Sequence, residues 1–242
     1  MIEFISAGVT VESPNSAEPI EILAPTTLSL NQSRITLIGA NGSGKSTLAR
    51  LINGLTIPTT GQVLVDGRDT ILDGPVIRRD IGFIFADVEA QLVMPTPRED
   101  LELSLSRRKL KKNELQERIV EVLRRFDLHR LIDTPLQNLS GGQKQLIALA
   151  SVLITKPKIL ICDEPTTRLD LYWKEIILEI LQKLPQMIIH LTHDLDFAQK
   201  TERVLLIDSG SVQADGKGED VVAHYRELMR TKLAERCAPD AI

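Results

Sequence analysis

The sequence predicts an α/β fold with a largely parallel sheet and crossover helices. Two additions are expected: an antiparallel β region in the first 75 residues or so and a helical subdomain near 87–150. Three observations carry this. Apolar strand-like runs alternate with amphipathic helix-like runs after Gly142. Glycine-bounded strands and turns fill the first third. The middle is charged and helical in period. With 242 residues the chain suits one large domain, residues 1–242, with its core in 1–86 and 151–242 and the helical subdomain in 87–150.

The elements follow in order. The N-terminal part reads as short strands and turns. "RITLIGA" is an apolar strand running into glycines, and "STLARLINGL" is a helix stopped near Gly54 and Pro58. "GQVLVDG" alternates between bounding glycines, as a strand does. "RRKLKKNELQERIVEVLRRFDL" places Leu115, Ile119, Val122, Leu123 and Phe126 on one helical face, and its basic start is a solvated face among acidic neighbours. Then come the helix "QKQLIALASVLIT", the buried strand "KILICDE", a helix from Asp170 to Leu184, and the strands "MIIHLT" and "RVLLIDS". The last segment is a helix with Val221, Val222, Tyr225, Leu228 and Met229 facing the core.

Composition narrows the function classes. Hydrophobic residues make up 43%, enough for a real core, and the formal net charge of −4 gives no basic surface for nucleic acid. Cys162 in an apolar run and Cys237 in a polar tail form no disulfide framework, which fits a reducing compartment. No signal-peptide pattern opens the chain, and no apolar run reaches the about 18 residues of a membrane span. Any membrane role is therefore expected to be peripheral.

Three motifs carry chemistry. Gly39-Ala40-Asn41-Gly42-Ser43-Gly44-Lys45-Ser46 fits G-x-x-x-x-G-K-[ST] between a strand and a helix, with Thr47 next. Its glycines let backbone N–H groups turn toward phosphates, Lys45 reaches the β- and γ-phosphates, and the Ser46 hydroxyl ligates Mg²⁺. "KILICDEPTT" ends a buried strand in two carboxylates: Asp163, placed to hold Mg²⁺, and Glu164, placed to polarise a water. "LSGGQ", Leu139 to Gln143, precedes a helix and reads as a second anion-binding helix start.

Together with His193 in "LTHDLD", these motifs resemble the ATP-binding subunits of ABC transporters, over nearly the whole chain. The resemblance implies a P-loop ABC ATPase core, an antiparallel β subdomain and a helical subdomain bearing LSGGQ. It implies a head-to-tail homodimer with two ATP molecules. Each would lie between Lys45 of one subunit and Ser140, Gly141, Gly142 and Gln143 of the other. It further implies that His193 meets the γ-phosphate and that Asp170, in "TTRLDL", lies on the loop crossing the dimer interface.

Two positions depart from the family pattern. Ala86 stands where a glutamine usually helps hold Mg²⁺ and the attacking water. Val11 stands where an aromatic residue usually stacks on adenine, so looser base preference is expected. The stretch "DVEAQLVMPTPREDLELSL" resembles energy-coupling-factor (ECF) transporter ATPases, whose short helix carries a glutamine. Gln91 is that residue here, expected to help form the docking surface for the membrane partner and to replace the missing glutamine in part. "GANGSGKSTLARLINGL", "QLVMPT", "EPTTRLDL" and "AHYRELM" look most like the ATPases of biotin transporters. The implied partners are a transmembrane coupling (T) subunit and a substrate-binding (S) membrane subunit, at the cytoplasmic face of a bacterial membrane. No nucleic acid is implied, and no direct contact with the transported substrate. Cobalt, nickel or another vitamin as cargo, and a soluble ABC ATPase scaffold, remain open at this point.

Overall fold

The computed structural model describes residues 1–13, 18–108 and 110–236; Lys109 and Cys237 lie outside the described residues. The elements begin with β1 (Ile2–Val11), β2 (Ile20–Leu30), β3 (Arg34–Ile38), α1 (Lys45–Ile52), β4 (Thr60–Val65), β5 (Arg68–Asp69) and α2 (Gly74–Asp80). They continue with β6 (Ile81–Ile84), α3 (Val88–Gln91), α4 (Pro97–Leu105), α5 (Lys112–Arg125), α6 (Gly141–Leu153), β7 (Ile159–Asp163) and α7 (Leu171–Lys183). The chain closes with β8 (Met187–Leu191), α8 (Leu195–Gln199), β9 (Arg203–Asp208), β10 (Ser211–Gly216) and α9 (Gly218–Arg236). Contacts divide it into two compact units, Met1–Ile77 with Ile189–Ile242, and Arg78–Ile188.

In the first unit, β2-β1-β4-β5 form an antiparallel sheet. Ile2 sits opposite Leu30 and Val65, and Phe4 opposite Leu28 and Val63, so alternate apolar side chains share one buried face. The expected short strands are here two long ones of 10 and 11 residues. Register shifts after Phe4 break the alternation that sequence reading relies on. A second set runs β10-β9-β3-β8, with β3 and β9 parallel. β3 is buried over Ile35 to Ile38, so it reads as a continuous apolar run. Val221 and Val222 of α9 pack with Ile38, Val204 and Leu206, with Tyr225 and Leu228 alongside. Each fully buried valine contributes roughly 1.5–3 kcal/mol. The helix α8 and the strand β10 had no sequence signal: one is 5 residues long, and the other, "SVQADG", is only half-buried.

In the second unit, β6 pairs in parallel with β7, Ile84 opposite Cys162. Both strands are buried throughout. Their faces join one apolar cluster with α4, α5, α6 and α7, including Leu101, Ile119, Leu123, Leu146 and Ile177. The amphipathic face read from the sequence is the one that packs: Ile119 and Leu123 are fully buried, with Leu115, Val122 and Phe126 half-buried against them. Asp100 is 5% exposed, and its carboxylate accepts from Val93 N, Met94 N and Ser151 Oγ at 3.2, 3.4 and 2.8 Å. A buried carboxylate so satisfied ties the loop after α3 to α6.

Candidate nucleotide site

The loop between β3 and α1 is shaped by glycines at positive φ: Gly39 at 144°, Gly42 at 75° and Gly44 at 107°. A Cβ at Gly39 would lie 1.9 Å from the Ile207 carbonyl oxygen, so no other residue fits. Gly44 is the N-cap of α1 and offers no side chain to cap it. The first-turn N–H groups of a helix have no intrahelical partner, so this end is left open for an external acceptor. Lys45 is buried, and its Nζ donates to Gly39 O at 2.8 Å and Ala40 O at 2.9 Å. The Ser43 hydroxyl is buried without a hydrogen-bond partner among the described residues. An orphan donor inside such a loop fits an incoming phosphate oxygen. Ser46 and Thr47 lie half-buried on the first turn of α1.

His193 and Asn41 meet in the same unit, with His193 Nε2 2.7 Å from Asn41 Oδ1. With Oδ1 accepting, Nε2–H donates. Three residues before, His190 is fully buried against Phe197. Burial pushes its pKa down to about 4, against the upward pull of Asp194. It is therefore a neutral packing group under the strand end that presents His193. Val11 closes β1 half-exposed at 44%.

In the second unit, β7 delivers Asp163 and Glu164 at its C-terminal end. Asp163 is 6% exposed, with no hydrogen bond or ion pair from its carboxylate among the described residues. A buried carboxylate of this kind calls for a cation. Mg²⁺ is held by one or two carboxylates plus phosphate oxygens, so the donor fits. Glu164 has φ 52°, a left-handed conformation that costs a non-glycine residue energy, and it accepts from Thr167 Oγ1 at 2.8 Å. The Cys162 thiol is pushed up by burial and by Asp163, so it is an inert core group.

The segment Leu139–Gln143 starts α6, with Ser140 as N-cap. Ser140 Oγ accepts from Gln143 N at 3.3 Å, and Gln143 Oε1 accepts from Ser140 N at 2.9 Å, a reciprocal capping box. The box satisfies the N–H groups of Ser140 and Gln143 and so preorganises this helix start. Gly142 is required for space rather than for φ: a Cβ there would lie 2.0 Å from the Trp173 ring. Asp170 caps α7, accepting from Trp173 N at 2.9 Å, and so fixes the residue under Gly142. Sequence reading missed Trp173; its only signal was a lone tryptophan three residues after a capping aspartate.

Ala86 is exposed after β6, and α3 follows. Gln91 turns back on its own strand: Oε1 accepts from Phe85 N at 2.9 Å and Nε2 donates to Phe83 O at 3.4 Å. In this conformation its amide clamps the end of β6 to α3. Two ion pairs radiate from this short helix. Glu89 meets Lys144 of α6 at 2.5 Å, and Asp87, its N-cap, meets Arg168 at 3.8 Å.

The parallel strands, the glycine-cradled lysine and the capped Ser-Gly-Gly helix define an ATP-binding cassette, and the family pattern described as "ABC transporter" matches residues 23–167. The chain belongs to that family. It is an ABC ATPase that couples ATP hydrolysis to transport, as the ATP-binding subunit of an ABC/ECF-type transporter. It is 44% identical to the "Biotin transport ATP-binding protein BioM" of Rhizobium etli, over 94% of this chain and 98% of that protein. It is 37% identical to the "Energy-coupling factor transporter ATP-binding protein EcfA1" of Halalkalibacterium halodurans, over 84% and 74%. The dimeric post-hydrolysis structure of the ATP-binding cassette MJ0796, bound to ADP and Pi, superposes with a TM-score of 0.79 at 31% identity, covering 90% and 98%. No helix among the described residues is long and apolar enough to cross a membrane.

Proposed function

We propose that this chain powers the import of biotin as a homodimer docked at the cytoplasmic face of a bacterial membrane. Its partners are a transmembrane coupling subunit and a separate substrate-binding subunit, so no residue here meets the cargo. The likeness to the Rhizobium etli biotin transport protein, 44% identical over nearly both chains, supports the cargo. The nucleotide chemistry is assigned residue by residue. The loop from Gly39 to Thr47, with Asn41, Gly42, Ser43 and Gly44, cradles the phosphates, and Lys45 neutralises them. Ser46 and Asp163 would hold Mg²⁺, which supplies charge neutralisation at the phosphates. Glu164 polarises the attacking water, and His193, oriented by Asn41, meets the γ-phosphate. Ser140, Gly141, Gly142 and Gln143 of the second copy close on the nucleotide, with Asp170 shaping that contact. Gln91 holds α3, whose exposed face docks the membrane partner.

Uptake of labelled biotin at limiting concentration, in cells with no other biotin importer, tests this. Glu164→Gln at unchanged protein level is expected to abolish uptake. Normal uptake would remove biotin and leave another vitamin or a metal as the cargo, the reading that the likeness to the EcfA1 protein keeps in view.

A further inference from the structure

We propose that Asp208 and Lys232 act as a positioning pair for the nucleotide, fixing the turn between β9 and β10 against the phosphate loop. This rests on the reading that the loop at Lys45 binds ATP. Every contact involved lies within the first unit.

The turn is built into the loop by backbone. Gly210 N donates to Ser43 O at 2.9 Å, inside the glycine motif. On its other side Gly210 O accepts from Ala24 N of β2 at 2.7 Å. Ser209 and Gly210 both have positive φ, 49° and 75°, the tight two-residue turn that joins β9 to β10. The approach is close on two faces. A Cβ at Gly210 would lie 2.9 Å from Ile22 O, and one at Gly39 would lie 1.9 Å from Ile207 O. Movement of the turn therefore acts on Ser43 directly, through the Gly210 N–H.

The turn is anchored in turn by α9. Asp208, at the end of β9, is 8% exposed and accepts from Lys232 Nζ at 2.5 Å and Ser209 Oγ at 3.2 Å on the same Oδ2. Lys232 is its only ion-pair partner among the described residues. The buried edge of α9 supplies the lever: Val221 and Val222 are buried with Val204 and Leu206, and Tyr225 packs against them. Tyr225 is pushed up by burial and by Asp208 and pulled down by Lys232, which places all three groups together. Lys232, itself 43% exposed, supplies the counter-charge that helps hold this carboxylate in place. None of these residues belongs to the chemistry assigned to the motifs.

The test compares Lys232→Met, Lys232→Arg and Lys45→Ala with the wild-type chain, below the melting point of each. ATP affinity is measured by calorimetry, and amide exchange is followed across 39–46 and 208–211. Lys232→Met is expected to weaken ATP binding about five- to tenfold, near 1–1.4 kcal/mol. Exchange should speed up in both segments, and Lys232→Arg should restore both. Unchanged ATP affinity or unchanged exchange at 39–46, even with a lowered melting point, would show that the pair merely fastens α9 and would overturn the proposal. Lys45→Ala separates the two readings: if it binds ATP like the wild type, the assignment of the loop fails first.

Discussion

The glycine-rich loops before α1 and α6 look alike in sequence and are built on opposite principles. The first is held open. Its N-cap is Gly44 in a left-handed conformation, no side chain caps the helix, and the Ser43 hydroxyl has no hydrogen-bond partner among the described residues. The second is closed on itself by the box between Ser140 and Gln143. In the first, glycine supplies positive φ; in the second, Gly142 supplies room for Trp173. An open helix start can receive phosphate alone. A capped one is preorganised, which suits the proposed role of closing over a nucleotide held by a second copy.

That contrast can be broken, and the sharpest attempt is at Lys45. Lys45→Ala removes a buried ammonium and two of its hydrogen bonds, so ATP affinity of the single subunit should fall on the order of 100-fold. Ser140→Ala should leave that same affinity unchanged. Titration of both variants decides it, and equal losses would mean that the two loops are equivalent.

Next in size is Gly142→Ala. A methyl group 2.0 Å from the Trp173 ring should cost about 1–3 kcal/mol of stability. Thermal melts should recover in the double variant with Trp173→Leu; an unaltered melting point in the single variant would show that the ring can move aside freely. Smaller still, Ser140→Ala should cost about 1 kcal/mol through loss of the cap, while Ser140→Thr holds. Chemical denaturation would read both. Least of all, Glu89→Gln should cost about 0.2–1 kcal/mol, because Glu89 is 66% exposed. That loss should shrink in high salt; a salt-independent loss would point to packing instead.

Much of the first unit was legible. "RITLIGANGSGKS" announces a buried strand, a turn and a helix because apolar runs and glycines have purely local consequences. "KILICDE" was legible for the same reason. The partners of those residues were not. Asn41 and His193 are 152 positions apart, and nothing local says that they meet. Nor does anything local say where the Gln91 amide goes: it satisfies the backbone of Phe83 and Phe85, six and eight residues back. Asp100 carries no sequence signal of its own, and its three hydrogen bonds come from a loop and from a helix far along the chain.

The sequence by itself determined the class of fold, the phosphate loop and the pair of carboxylates after β7, because each depends on neighbours along the chain. Only the tertiary structure decided why Gly142 must lack a side chain, what holds Gly210 against Ser43, and where the amide of Gln91 goes. Those answers depend on volume and hydrogen-bond satisfaction between segments far apart in sequence, which no local pattern encodes.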